Sequence, residues 1–430
     1  MSPTVKTLTP REYKPAPGGL KFAVAIILLL ALGMSLMRNL HNIFPAHPWM
    51  GSWGITEFMI NFEGGFVRRG LLGQLLYELC SATGLSMLDF IYPFSAACYL
   101  AVTLAFCYLF HKRGYCWWLP FIMYLCGFWG CFIRKDFLLI GILLLSFAVA
   151  RHSLNSKRVC EVTLLTVLAL FLHEAYIFWG VPLLIMLMAR QRRSLLTFTA
   201  VSVGVFLLLS LFKGSAQTAA DITASWHRLL PDLVPVTPDG TVESLSWTVD
   251  FAALRHMEAN FVGWYDLTFF RVPKVLMHII VLICSCYLAL NMLLFFRKRT
   301  GMYSPQQRVV TFACFVIVYA CMLPMFIVLS TDYPRLWQSI FAAVFGCFLL
   351  VPVSTILSCL PQWYLRGIDR FVCAFDRILR PNAWATALIM VILAGYAWEW
   401  NLVEFMYSSP LLSLMVNRYT YPILIGTPIP

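Results

Sequence analysis

Charged residues are scarce in this sequence, and their scarcity excludes most classes of soluble protein. Asp, Glu, Lys and Arg make up 12% of the 430 residues, whereas hydrophobic residues make up 60%. Repeated apolar runs that end in short basic clusters are typical of a polytopic α-helical membrane protein. Polar and apolar residues do not alternate over stretches of about ten residues, which argues against an outer-membrane barrel. The predicted fold class is therefore all-α, in a polytopic membrane protein.

Sequence signatures of metal, nucleotide and nucleic-acid chemistry are also missing. The 14 cysteines form no CxxC pair and no His/Cys metal spacing, and most lie inside apolar runs, where they are interpreted as small buried side chains. No ATP-binding or soluble catalytic domain is visible, which is consistent with an activated lipid donor that supplies the energy of a reaction. The net charge of +12 is concentrated in the connectors between apolar runs, and no nucleic-acid partner is predicted.

Eleven transmembrane spans are predicted from the apolar runs. They lie at 21–38, 88–110, 116–133, 137–150, 159–172, 175–189, 195–212, 272–296, 309–329, 336–358 and 384–402. No small-residue cleavage site promptly follows the polar N-terminal stretch, so the first run is predicted to be a retained span rather than a signal peptide. The predicted segments are a cytoplasmic tail 1–20, a transmembrane domain 21–402 with outward loops 39–87 and 213–271, and an outward tail 403–430.

The basic residues predict the orientation of the chain. If the basic connectors share one side with the N-terminus, that side carries 20 Lys and Arg against four acids, and the other side carries 12 against 16. The positive-inside rule then places the N-terminus in the cytoplasm, and an odd number of spans places the C-terminus outside. Short loops and basic connectors favour a bacterial inner membrane. Every unusual polar cluster consequently falls on the outward, non-cytoplasmic side.

Two outward clusters lie between short apolar arms. The stretches "RKD" at 134–136 and "HE" at 173–174 are flanked by runs of about 14–18 residues, too short at about 1.5 Å per residue to cross a hydrocarbon core of about 30 Å. Their tips are therefore predicted to lie below the outer surface, where ionisable groups are usually paired or functional. The alternatives are that the tips pair with each other to hold the bundle, or that 159–189 forms one long tilted helix.

The stretch "NFEGGFVRRG" at 61–70 combines one carboxylate, glycines and two arginines. Apolar residues at helical spacing on both sides predict two interfacial helices joined by this turn. Arg68 and Arg69 are predicted to begin the second helix, where backbone N–H groups favour an anion and arginine forks match phosphate oxygens. The stretch is therefore predicted to be an anion site with Glu63 nearby. The alternative is an anchor that reaches lipid headgroups.

The remaining outward clusters offer similar chemistry. The cluster at 134–136 again places one acid beside two cations, and the cluster at 173–174 adds an acid and a titratable ring. At 330–335 a simple structural ion pair is an equal alternative, and the aromatic and acidic residues of the loop 213–271 suit either sugar rings or any folded loop. The candidate residues of these clusters are Arg134, Lys135, Asp136, His173, Glu174, Asp332 and Arg335.

The layout of residues 1–190 resembles the C-type (GT-C) membrane glycosyltransferases, which carry one acid in a long first outward loop and another in the next. The resemblance implies sugar transfer from a polyprenyl-phosphate carrier at the non-cytoplasmic face, with Glu63 at the first acidic position and Asp136 at the second. The phrase "GGFVRRGLLG" is also similar to bacterial proteins of surface polysaccharide assembly, near the O-antigen polymerases. The first loop lacks the DxD or paired acids of many such enzymes, which leaves a divalent metal and the identity of the base open.

The predicted function is an envelope glycosyltransferase or glycan polymerase acting on polyprenyl-linked sugars. Glu63 or Asp136 would orient or deprotonate the acceptor hydroxyl, with Glu174 as a further catalytic acid. The basic residues of the clusters would stabilise charge on the departing phosphate. The predicted partners are a polyprenyl-linked glycan donor, a glycan acceptor and membrane lipids, and no cofactor is certain. The alternatives are a transporter or flippase for a lipid-linked or anionic solute, and a non-catalytic membrane subunit.

Overall fold

The computed structural model of the protein describes residues 16–27, 29, 53–116, 133–151, 155–212, 214–231, 249, 274–297, 305–329 and 333–393. The chain divides into two compact units. The first unit comprises residues 1–37, 105–130 and 258–430, and the second comprises 38–104 and 131–257.

The described residues are predominantly helical, as the composition predicts. In chain order the helices are α1 (Gly18–Ile27), α2 (Trp53–Met59), α3 (Gly70–Thr83), α4 (Met87–Lys112), α5 (Asp136–Ala150), α6 (Ser156–Leu172), α7 (Tyr176–Trp179), α8 (Val181–Met188), α9 (Arg192–Leu211), α10 (Ala216–Leu229), α11 (Lys274–Phe296), α12 (Pro305–Pro324), α13 (Tyr333–Leu350), α14 (Val353–Cys359), α15 (Gln362–Ile378) and α16 (Ala383–Leu393). A π-helical segment, Met325–Leu329, extends α12.

Four of the described helices are long and apolar enough to cross a membrane. They are Met87–Lys112, Arg192–Leu211, His278–Phe296 and Gln306–Ile327. A fifth candidate is the pair formed by α13 and α14, which is bent by 113°. These helices indicate a membrane protein, and they coincide with the predicted spans 88–110, 195–212, 272–296 and 309–329. The predicted span 116–133 lies almost entirely outside the described residues, as do 28–38, apart from residue 29, and 394–402.

Two of the predicted spans are broken in the structure. The run 336–358 is not one straight helix, because Pro352 lies between α13 and α14 with an extended ψ of 137°; proline lacks the N–H that would continue the helix. The run 175–189 divides at Gly180 into α7 and α8, and Pro182 lies in the first turn of α8. The alternative of one helix over 159–189 also fails, since α6 ends at Leu172 and His173 is extended.

The core of the second unit holds the turn 60–69 in place. The indole Nε1 of Trp226, on α10, donates to the Met59 carbonyl at 2.7 Å, and the Asn61 amide donates to the Ser225 hydroxyl at 2.9 Å. A side chain at Gly73 of α3 would clash with the backbone of Ile60, so α3 approaches the end of α2 closely. Nearby in the sequence, α6 packs against α5 and α9.

In the first unit, α12 packs against α11, α13 and α15. The Arg113 guanidinium donates to the Leu349 carbonyl at 2.9 Å, and Tyr115 forms an isolated β-bridge with Arg297. These contacts connect the end of α4 to the rest of this unit.

Candidate functional site

The turn between α2 and α3 carries the arginines of the candidate site. Arg68 and Arg69 were predicted to begin the second helix, but α3 begins at Gly70 and both arginines precede it. Gly65 has a φ of 96°, which glycine adopts without steric cost. Arg69, the residue before α3, has a φ of 65°, the left-handed conformation that is uncommon for a residue with a side chain. Such strain persists where surrounding contacts hold it.

The Glu174 carboxylate binds both arginines. Arg68 Nη1 donates to Glu174 Oε1 at 2.5 Å, Arg69 Nε donates to Oε2 at 2.7 Å, and Arg69 Nη2 also donates to Oε1. Glu174 is 5% exposed and Arg68 is 3% exposed, so this ion pair is shielded from water. Arginine forks bind carboxylate and phosphate oxygens with the same planar geometry. The arrangement is therefore chemically suited to holding an anion.

His173 lies beside this pair. Its Nδ1 is 3.8 Å from Glu174 Oε2, and the Ala175 backbone N–H donates to the same nitrogen at 3.2 Å. This contact helps to fix the turn between α6 and α7.

The surrounding cations set the protonation of Glu174. Burial alone would raise the pKa of its carboxyl, but the neighbouring Arg69 and Arg68 outweigh burial and hold that pKa well below its ordinary value. The carboxyl is therefore ionised at neutral pH. A carboxylate with so low a pKa is a weak proton acceptor.

A third segment, residues 134–136, places further charged side chains near these arginines. Lys135 is completely buried, and its Nζ donates to the Arg69 carbonyl at 3.1 Å. Arg134 Nη1 lies 3.5 Å from the buried carboxylate of Glu57. Asp136 is also buried and is the first residue of α5, where the helix dipole favours a negative charge. We call the seven residues that share this region the charge cluster: Glu57, Arg68, Arg69, Arg134, Lys135, Asp136 and Glu174.

Glu63 lies apart from the buried pairs. Its side chain is exposed at the turn, where Gln74 Nε2 donates to it at 3.4 Å and the exposed Arg228 lies 3.9 Å away. The sequence thus placed Glu63 next to the arginines, but the structure pairs those arginines with Glu174. Arg335 lies in the first turn of α13, in the first unit, and Asp332 lies outside the described residues.

Glu57 was not predicted as a site residue, although it is the only charged residue of helix α2. The aromatic residues of the loop 213–271 suited either sugar rings or any folded loop, and Trp226 agrees with the second interpretation. It is fully buried and supports the turn through its indole N–H. Among the residues that the structure describes, no three His, Cys, Asp or Glu side chains are grouped closely enough to hold a metal ion.

The fold and the charge cluster define a class: a helical membrane protein with buried, paired ionisable groups at the ends of its helices. Comparison with known proteins adds no family to this description. No protein-family model, no curated protein and no solved structure matches the chain.

The lowered pKa of Glu174 predicts how stability depends on pH. Because the pKa is lower in the folded protein, the stabilisation is fully present above the unfolded value, about 4.3 for a glutamate, and is lost as pH falls through the folded value. We expect the stability difference between the wild type and Glu174→Gln to be constant from pH 7 to pH 5 and to shrink below about pH 4. Thermal unfolding of both proteins across this range measures it. Loss of the difference already between pH 7 and pH 5 would contradict the assignment.

Proposed function

We propose that the protein is a membrane glycosyltransferase or glycan polymerase that uses polyprenyl-phosphate-linked sugars at the non-cytoplasmic face, in envelope polysaccharide assembly. The observation that supports the proposal is the charge cluster. Four sequence segments, around residues 57, 68, 135 and 174, contribute its cations and acids, and the guanidinium fork of Arg69 binds both oxygens of the Glu174 carboxylate. A donor whose leaving group is a lipid phosphate requires such a site.

The proposed role of the cations is to stabilise the departing phosphate. Arg134 is balanced by Glu57, and the formal charges of Arg68, Arg69 and Lys135 exceed those of Asp136 and Glu174 by one. In a buried setting this excess favours an anionic ligand, because charges interact more strongly there than in water. Arginine in particular binds phosphate through two parallel hydrogen bonds.

The proposed proton acceptor is Glu63, with Asp136 as the second candidate. Glu63 is exposed at the turn that carries Arg68 and Arg69, so an acceptor hydroxyl can reach it. Glu63 lies in the same turn as the arginines, which suits a reaction in which one carboxylate accepts a proton and cations stabilise the negative charge on the departing phosphate. Glu174 is proposed to position the two arginines, since its own pKa is too low for a general base.

The proposed location is a bacterial inner membrane, and the proposed partners are a glycan donor, a glycan acceptor and lipids. The basic connectors support a bacterial inner membrane with the N-terminus in the cytoplasm and the C-terminus in the periplasm. The helices α2 and α3, which flank the turn, are proposed to lie in the membrane interface, as their apolar spacing suggests. The partners are the polyprenyl-linked donor, the glycan acceptor and the surrounding lipids; a divalent metal stays open.

Non-catalytic membrane scaffolding is the second candidate function, and a specific observation favours it. The buried pairs Arg68–Glu174 and Arg134–Glu57 join separate segments, as purely structural ion pairs do. A third candidate function is transport, and the observation that favours it is a polar contact between two candidate spans: His278 Nε2 lies 2.8 Å from the Tyr319 hydroxyl.

Deletion of the gene in its native host tests the proposed function. Lipid-linked and surface glycans are profiled by mass spectrometry after complementation with the wild type, Glu63→Gln or Glu161→Gln. The last variant is a matched control, because Glu161 is a partly exposed carboxylate on α6 whose neighbour Lys157 is 4.0 Å away. We expect the deletion to shorten the glycans and accumulate a precursor, which Glu161→Gln rescues and stably expressed Glu63→Gln does not.

Either of two results would count against this assignment. Unchanged glycans in the deletion strain would remove the glycosyltransferase proposal altogether. Full rescue by Glu63→Gln would remove Glu63 as the base and direct the same experiment to Asp136→Asn.

A further inference from the structure

Helix α15 packs one face against α12 in the first unit. Leu365, Ile368 and Val372 are buried, and at 100° per residue they lie within an arc of about 60°. The Tyr364 hydroxyl donates to the Ala313 carbonyl at 2.8 Å. This face is therefore the one that the protein itself covers.

A charged pair fixes the helix in this position. Arg308 Nη1 and Nη2 donate to the two oxygens of Asp376 at 2.5 and 2.6 Å, and both side chains are largely buried. Phe371 stacks on Phe312 with ring centroids 5.3 Å apart and planes 7° from parallel. Together these contacts hold α15 along its length, so its remaining faces have a fixed orientation.

A second apolar face of α15 is exposed. Trp363 is 71% exposed, Ile378 is 80% exposed and Phe371 is 46% exposed. With the exposed Gly367 and Ala374, they form a strip within an arc of about 80°. A soluble face would carry polar residues at these positions, and a strip of this kind requires cover. We call these five residues the apolar strip.

A row of arginines borders the apolar strip. Arg366, Arg370 and Arg377 are all exposed and fall within an arc of about 40°, directly beside Trp363 on the helix surface. A helix with a basic row next to a tryptophan-containing apolar face is the pattern of interfacial membrane helices. Tryptophan also favours the headgroup level of a bilayer.

The contacts of α15 place it near one end of a candidate span. Its partners on α12, Arg308, Phe312 and Ala313, lie in the first turns of the span Gln306–Ile327. The polar headgroup region lies at the end of a span rather than at its middle. The apolar strip and the arginine row therefore lie near the end of a candidate span, where the headgroup region is expected.

We propose that α15 is a binding site for anionic lipid headgroups. The apolar strip enters the boundary between headgroups and acyl chains, and Arg366, Arg370 and Arg377 bind lipid phosphates beside it. The occupant is the anionic surface of the bilayer, because this surface alone supplies apolar cover and negative charge in adjacent layers. The proposal is independent of any catalytic activity.

Photo-crosslinking tests what covers the apolar strip. Photoreactive benzoylphenylalanine replaces Trp363 or Ile378 in the full-length protein in native membranes, and replaces the buried Val372 as the matched control. We expect lipid adducts from the first two positions and intramolecular crosslinks from the third. The proposal would be overturned if positions 363 and 378 crosslink to another polypeptide, or if they crosslink only within the protein and give no lipid adduct.

Lipid selectivity tests the arginine row. The full-length protein is reconstituted in nanodiscs of phosphatidylcholine and phosphatidylglycerol, and the lipids that it retains are measured by native mass spectrometry. Combining Arg366→Gln, Arg370→Gln and Arg377→Gln is expected to lower the preference for phosphatidylglycerol about fivefold per arginine at low salt. The control combines Arg190→Gln, Arg192→Gln and Arg193→Gln, three exposed arginines around the start of α9. An unchanged preference in the α15 variant, or an equal loss in both variants, would overturn the site.

Discussion

Replacing Glu174 with glutamine is expected to destabilise the protein by about 3–5 kcal/mol. Glutamine keeps the shape of the side chain but removes the charge that balances Arg68 and Arg69. Those guanidinium groups would then stay in a shielded site without their carboxylate, which costs more than the pair itself contributes. Thermal unfolding of the purified protein in detergent measures the change, with the folded fraction followed by size-exclusion chromatography.

Two companions make this result specific. Glu161→Gln removes a partly exposed carboxylate whose contact with Lys157 is 4.0 Å, and it is expected to change stability by less than about 1 kcal/mol. Combining Glu174→Gln with Arg69→Gln is expected to recover part of the loss, because one uncompensated charge is removed with its partner. Similar stabilities of Glu174→Gln and Glu161→Gln would show that the buried ion pair is absent in the membrane protein.

The second large effect is expected at Gly73, where alanine should cost about 3 kcal/mol or more. A Cβ at this position would overlap the Ile60 carbonyl and lie 2.7 Å from the Phe58 carbonyl oxygen. Both obstacles are backbone, so rotation of a side chain does not relieve them. The variant must separate α3 from the end of α2, and this movement displaces the turn that carries Arg68 and Arg69. Unfolding temperature and glycan rescue should therefore fall together.

Gly204 provides the matched control for that substitution. It lies inside α9, and a Cβ there would meet no atom within 4 Å. Because alanine favours helix over glycine, Gly204→Ala is expected to stabilise the protein by up to about 1 kcal/mol. Equal effects of the two substitutions would mean that α3 does not approach Ile60 closely.

The helical fold follows from the apolar runs, but the breaks in the helices do not. Hydropathy predicts long apolar helices such as α4 and α9, because their length and composition are sufficient evidence. It does not respond to a single residue such as Pro352, where the backbone turns although the surrounding side chains remain apolar. The breaks are instead indicated by the proline and glycine residues within the apolar runs, which a hydropathy average does not take into account.

The residues of the charge cluster were largely predictable, but their pairing was not. Local spacing placed Glu63 beside Arg68, and Asp136 beside Arg134, because sequence neighbours are the only ones that a single sequence shows. The buried partner of Arg68 is Glu174, which is 106 residues away, and the partner of Arg134 is Glu57. Such pairings depend on how the helices pack. The sequence indicates only that a charged residue within an apolar region needs some partner.

Arg69 connects three parts of the chain through a strained backbone. Its left-handed conformation costs about 1–2 kcal/mol, and it persists while its guanidinium holds Glu174 and its carbonyl accepts from Lys135. Releasing one contact frees the backbone to relax, which weakens the other contact as well. The two bonds are consequently linked in free energy, and reciprocally so. An anion that competes with Glu174 for Arg69 is therefore expected to weaken the hydrogen bond from Lys135, at the start of α5, without contacting that helix.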